Sequence, residues 1–186
     1  MSVIESATME TSITRSEDGR HTYLLSREWN PEKKQAMLIM LMAGSADTVA
    51  IDTTGMLVVS NLHKLGYGGI KITNLFTNQS RETDEENDRI ILETAEKSEQ
   101  ILVGWGTGSA TNPAAQRRIG EVLALLRPYQ ERMFCIASPA GKKGLHPLAP
   151  ALRKKWDILP WLDEVAHEEK QKSPSQRERK GKGAGS

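Results

Sequence analysis

Cysteine and aromatic rings are scarce in this chain. Its 186 residues include one Cys, two Phe, three Tyr and four Trp, so the rings make up 5%. Cys135 has no second cysteine to bond with, and folding has to rest on burial. Its place in the apolar run Met133-Phe134-Cys135-Ile136-Ala137 reads as a small core residue ahead of a nucleophile. The core must be mostly aliphatic. No stretch approaches the ~20 apolar residues of a membrane span, and Met1 to Arg20 has no apolar leader segment, so a cytoplasmic protein with no membrane partner is expected. A net charge of +1 excludes a chain that coats nucleic acid through charge alone.

Familiar chemical signatures are missing too. There is no G-x-x-x-x-G-K-[ST] and no G-x-G-x-x-G behind a strand; Gly104-Trp105-Gly106-Thr107-Gly108 is glycine-rich with a different spacing. The histidines, at 21, 63, 146 and 167, are scattered, and no C-x-x-C occurs, so neither a metal nor a cofactor is expected. No G-x-S-x-G nucleophile elbow is present.

What remains is a regular alternation of apolar strands and amphipathic helices. Strands are expected over 21–27, over the unbroken apolar run 36–42, and over 70–76, 101–103 and 133–137. Helices are expected over 53–65 with Gly66 as the stop, over 84–98, and from the Asn112-Pro113 cap to about Arg127. A strand apolar on successive residues is covered on both faces. This predicts an α/β fold: three layers, an open, mainly parallel sheet of four to five strands, and helices on both faces. One domain is expected over 21–167, after a polar, poorly ordered stretch 1–20 and before a disordered basic tail 168–186.

Open α/β sheets bind ligands beyond the carboxyl ends of their strands, which turns the strand list into a site list. The run 36–42 leads to Ser45, Asp47 and Asp52; 70–76 contains Asn74; 101–103 leads to Trp105; and the last strand opens a loop with Lys142, Lys143 and His146. Each has a structural alternative: helix capping for Asp47 and Asp52, loop bonding for Asn74, packing for Trp105, a solvated turn for the lysines. His146, just before a proline, is the residue least expected in a featureless loop.

Taken in order, Leu24-x-Ser26-Arg27-x-Trp29, Ser45-Ala46-Asp47, Asp52-Thr53-Thr54, Gly66-Tyr67-Gly68-Gly69, Asn74-Leu75-Phe76, Glu86-Asn87-Asp88, Trp105-Gly106 and His146-Pro147-Leu148 resemble a bacterial and phage family known as domain of unknown function 1643. That pattern is distantly similar to the uracil-DNA glycosylase superfamily. The similarity implies that Asn74 reads a flipped base and that His146 stabilises charge on the leaving base. It also implies substrate contacts for Ser45, Trp105, Lys142 and Lys143, with a nucleotide or nucleic acid as partner. The family's first motif is N-P-S-x-A-D, whereas this chain has Met42-Ala43-Gly44-Ser45-Ala46-Asp47. Met42 cannot position a water. Either Asp47 or Asp52 does so, or the protein binds a base or nucleotide without cutting. Two alternatives stand beside this reading: a non-enzymatic interaction protein of a phage or mobile element, with a protein partner, and a hydrolase or transferase acting on a nucleotide.

Overall fold

The computed structural model describes residues 2–153 and 155–161. The apolar run 36–42 forms β3 (Gln35–Met42), in which Ala36, Met37, Leu38 and Ile39 are fully buried. Its side chains alternate between two cores: Met37 and Ile39 enter one, Ala36 and Leu38 the other. β3 pairs in parallel with β4 (Gly69–Phe76) on one side and β5 (Gln100–Val103) on the other, and β5 pairs in parallel with β6 (Met133–Ala137). Parallel neighbours require crossovers, here α1 (Thr53–Lys64), α2 (Glu85–Glu96) and α3 (Pro113–Leu125).

Those helices cover both faces of the sheet. α1 sends Val58 and Leu62 into the core of Ala36 and Leu38, while α2 and α3 send Ile91, Ala95, Ala115 and Val122 into the opposite one. Their starts follow from local chemistry. The carboxylates of Asp52 and Asp84 and the amide oxygen of Asn112 accept the first free N–H groups of the three helices, and Pro113 stands at the first helical position of α3. Cys135 is fully buried in β6. No helix among the described residues is long and apolar enough to cross a membrane.

The sheet departs from the expected four to five mainly parallel strands. Among the described residues it has seven, in the order β1-β2-β4-β3-β5-β6-β7. Three pairings are parallel and three antiparallel. β2 (Thr22–Glu28) runs antiparallel to both neighbours, and β1 (Glu10–Arg15) and β7 (Asp157–Pro160) form the edges. β1 lies within the stretch expected to be poorly ordered. Its sequence Glu-Thr-Ser-Ile-Thr-Arg carries no apolar period, yet an edge strand needs only backbone partners, and β2 supplies them from Glu28 back to Thr22. Leu65, the last residue of the expected helix 53–65, is exposed and follows the last helical residue of α1 as its C-cap. The expected tail 168–186 lies outside the described residues, as does the stretch 162–167.

One tight corner joins α1 to β4. The amides of Trp29 and Asn30 both donate to the Gly68 carbonyl, at 2.8 and 2.9 Å, and the Trp29 indole N–H donates to the Tyr67 carbonyl at 2.8 Å. A Cβ on Gly68 would lie 1.9 Å from the Asn30 carbonyl oxygen, a backbone atom that cannot rotate aside. Gly68→Ala is therefore expected to lower stability by roughly 1–3 kcal/mol, read as an earlier urea midpoint at unchanged slope. An unmoved midpoint would mean that the Asn30 turn yields freely.

Candidate functional site

β4 alternates its side chains like any strand, so Asn74 falls on the α1 face with Ile70 and Ile72. It lines a cavity of about 50 Å³ whose floor includes Leu25, Met40 and Ile72. Asn74 is only 5% exposed, and its Oδ1 is buried without a hydrogen-bond partner. Buried amide oxygens are normally satisfied, so an orphan at a cavity wall calls for an explanation.

The end of β4 is held from behind by two other helices. Asn87 on α2 donates to the backbone oxygens of Asn74 at 3.1 Å and Leu75 at 3.5 Å. Arg118 on α3 donates through Nε to the Leu75 oxygen at 3.0 Å and pairs with Asp88 and Glu121. These contacts fix the position of the Asn74 backbone and leave its side chain to the cavity.

β2 contributes the opposite wall. Leu25 and Arg27 lie on the α1 face, and an irregularity in the β1–β2 register, where Thr14 faces Leu24 and Arg15 faces Thr22, lets Thr22 line the same cavity. Arg27 is 3% exposed. Its Nη2 donates to the carbonyls of Asp47 at 2.9 Å and Ala50 at 3.2 Å, and its Nη1 donates to Thr11 Oγ1 at 3.3 Å. Arg15 likewise donates to the Ala46 carbonyl. Two arginines on neighbouring strands thus clamp the segment 43–52, which forms the rim.

The two acidic candidates are both engaged in that rim. One Asp47 oxygen accepts from the amides of Val49 and Ala50, both at 2.7 Å, and an Asp52 oxygen accepts from Gly55 N at 2.7 Å. The Ala50 and Val49 amides hold the Asp47 carboxyl below the usual carboxylate range, and the charges of Arg15 and Arg27 act in the same direction. Such a carboxylate is a weak proton acceptor. Glycine at 55 lets the Asp52 cap close, since a Cβ there would stand 3.0 Å from its Oδ1.

The eight residues expected at the site therefore divide. Ser45, Asp47, Asp52 and Asn74 line this cavity. Trp105 and Lys143 line a separate one of about 410 Å³ with Trp161, whose ring meets Trp105 edge-on at 5.4 Å between centroids. Trp105 is 6% exposed and belongs to the core. His146 packs beside Gly106, and its Nδ1 accepts from the Leu148 amide at 3.2 Å; it is not among the residues lining either cavity. Lys142 is exposed. Among the described residues no three His, Cys, Asp or Glu side chains come together as a metal site.

Residues 22–148 match the model of a family described as protein of unknown function (DUF1643). The chain belongs to that family. No curated protein and no solved structure matches it. The matched stretch takes in every residue lining the Asn74 cavity, whereas β1 and β7 of this DUF1643 member lie outside it.

Arg27, Asn87 and Arg118 are the residues that sequence reasoning missed in this DUF1643 member. For Arg27 the signal was present: it is two residues from Leu25, on the face of a strand that Leu25 turns to the core. Arg118→Met is expected to cost about 2 kcal/mol, because the Leu75 carbonyl and Asp88 both lose a charged donor; urea unfolding measures it. A second outcome concerns pH. Burial pushes the His146 imidazole below its ordinary value of about 6.5, so the folded state favours the neutral ring. Stability from this group is complete above the ordinary value and is lost as pH falls below it. His146→Gln should flatten the decline in melting temperature between neutral and mildly acidic buffer; an unchanged decline would assign it to other groups.

Proposed function

We propose that this DUF1643 member binds a nucleobase, nucleotide or nucleic acid at the carboxyl ends of β3 and β4, with Asn74 reading the edge of the base, and that it does so without cleaving a bond. One observation carries the reading. A side-chain amide, 5% exposed and with its oxygen unpartnered, lines a cavity with an apolar floor and a polar rim. An amide offers both an acceptor and a donor and so suits the hydrogen-bonding edge of a base.

The cavity volume limits how the ligand enters. An apolar cavity of about 150 Å³ holds a benzene ring; at about 50 Å³ this one takes the edge of a ring, with the rest of the ligand at the mouth. The order of strand-end residues, distantly similar to the uracil-DNA glycosylase superfamily, and a three-layer arrangement around a parallel core agree with base recognition. Bond cleavage has less support. Asp47 is a weak proton acceptor, Asp52 caps α1, and His146 is not part of the cavity wall.

A second reading, an interaction protein with no small ligand, draws on Val49 and Met56, which are 87% and 53% exposed on and just beyond the rim. Titration of nucleosides, nucleotides and a short single-stranded oligonucleotide into wild type and Asn74→Ala separates the two. Nucleobase reading requires binding that the substitution weakens about tenfold or more while the melting temperature holds. Binding of none of these ligands, or equal binding by both proteins, would sink it.

A further inference from the structure

The molecule has two buried arginines, and their surroundings differ. Arg118 is paired with Asp88 and Glu121. Arg27, equally buried, makes no ion pair among the described residues; its Nη atoms meet only a hydroxyl and two carbonyls, and its Nε is buried with no partner. A buried cation without an anion in contact is costly, and an anion entering the site would relieve that cost. Arg27 lines the same cavity as Asn74.

Register separates their backbones along the sheet. Arg27 stands opposite Ile70 on β4, and Asn74 is four positions further along that strand. At strand rise the two backbone positions are roughly 13 Å apart, so a base edge and an anion can be met by different residues of the same wall. The charged groups at the cavity and its rim balance: Arg15 and Arg27 are engaged by rim carbonyls, and Asp47 and Asp52 accept from backbone amides.

We infer that Arg27 is a ligand-binding residue and that the site takes a nucleoside 5′-monophosphate, with its base edge in the cavity at Asn74, its sugar at the mouth and a phosphate oxygen accepting from Arg27 Nε. The inference rests on the nucleobase reading and adds the phosphate end. With the two Nη atoms already committed to the rim, the contact is single rather than the paired fork arginine often makes with phosphate. Binding would then also tighten the segment 43–52, since the same guanidinium holds that segment in place.

The test follows the Arg27 Nε–H signal by NMR on the full chain while adenosine, cytidine, guanosine and uridine, their 5′-monophosphates, and inorganic phosphate are added separately. The Nε–H should shift with monophosphates and with millimolar phosphate and stay still with nucleosides. At least one monophosphate should bind about tenfold or more tightly than its nucleoside, an advantage that shrinks with added salt. Arg27→Gln removes the charge, keeps a donor for the rim carbonyls, and should erase that advantage. If that variant fails to fold, the wild-type Nε–H signal decides. Equal affinity for nucleosides and monophosphates, or an Nε–H unmoved by either monophosphates or phosphate, would overturn the inference and leave the nucleobase reading standing. Absence of binding by any nucleoside or monophosphate would remove both.

Discussion

A strand paired in parallel on both sides cannot be closed by a hairpin, and most of this architecture follows from β3 being such a strand. Its neighbours β4 and β5 are reached only through crossovers. The first crossover carries α1 over one face and the next carries α2 over the other, so both faces of β3 become core. Ala36 to Ile39 are fully buried for that reason. Chain direction reverses its progress across the sheet after β4, and the ends of the central strands become the place where loops diverge and a crevice opens. The antiparallel strands at the flanks extend this core without altering it.

The crevice is bounded by polar groups that a core of this kind does not tolerate without partners. The carbonyls at the end of β4 run beyond the neighbouring ladder and are met by Asn87 and Arg118. Carbonyls of the rim 43–52 are met by Arg15 and Arg27. Once those groups are satisfied, two remain that are not, Asn74 Oδ1 and Arg27 Nε, and both belong to the cavity wall. Unsatisfied buried polar atoms also occur at Thr73, Asn87 and Trp156, none of which lines it. Position on the wall is what gives the first two a functional reading.

Much of this was legible beforehand, for reasons visible in individual residues. Asp52, Asp84 and Asn112 cap helices as their side chains favour, Gly66 ends α1 with φ at +87°, and the run 36–42 became a central strand. The edge strands were not legible. β1 has a single apolar residue, Ile13, and β7 is four residues long, so neither carries a hydrophobic period, and edge pairing depends on backbone groups that leave no trace in side-chain pattern. The site was legible in part. Ser45, Asp47, Asp52 and Asn74 share a cavity, whereas Trp105, Lys143 and His146 sit elsewhere at the strand ends, because the rule that names strand ends does not say which loops lean toward one another.

The amino-acid sequence by itself determined the apolar runs, the caps and the crossovers, and with them the α/β class and the parallel core, because periodicity and capping act over a few residues. Only the tertiary structure decided that β2 lies antiparallel beside β4 and so sets Arg27 into the wall shared with Asn74. These residues are far apart in the chain, and the ladder that brings them together is made of backbone hydrogen bonds common to every residue.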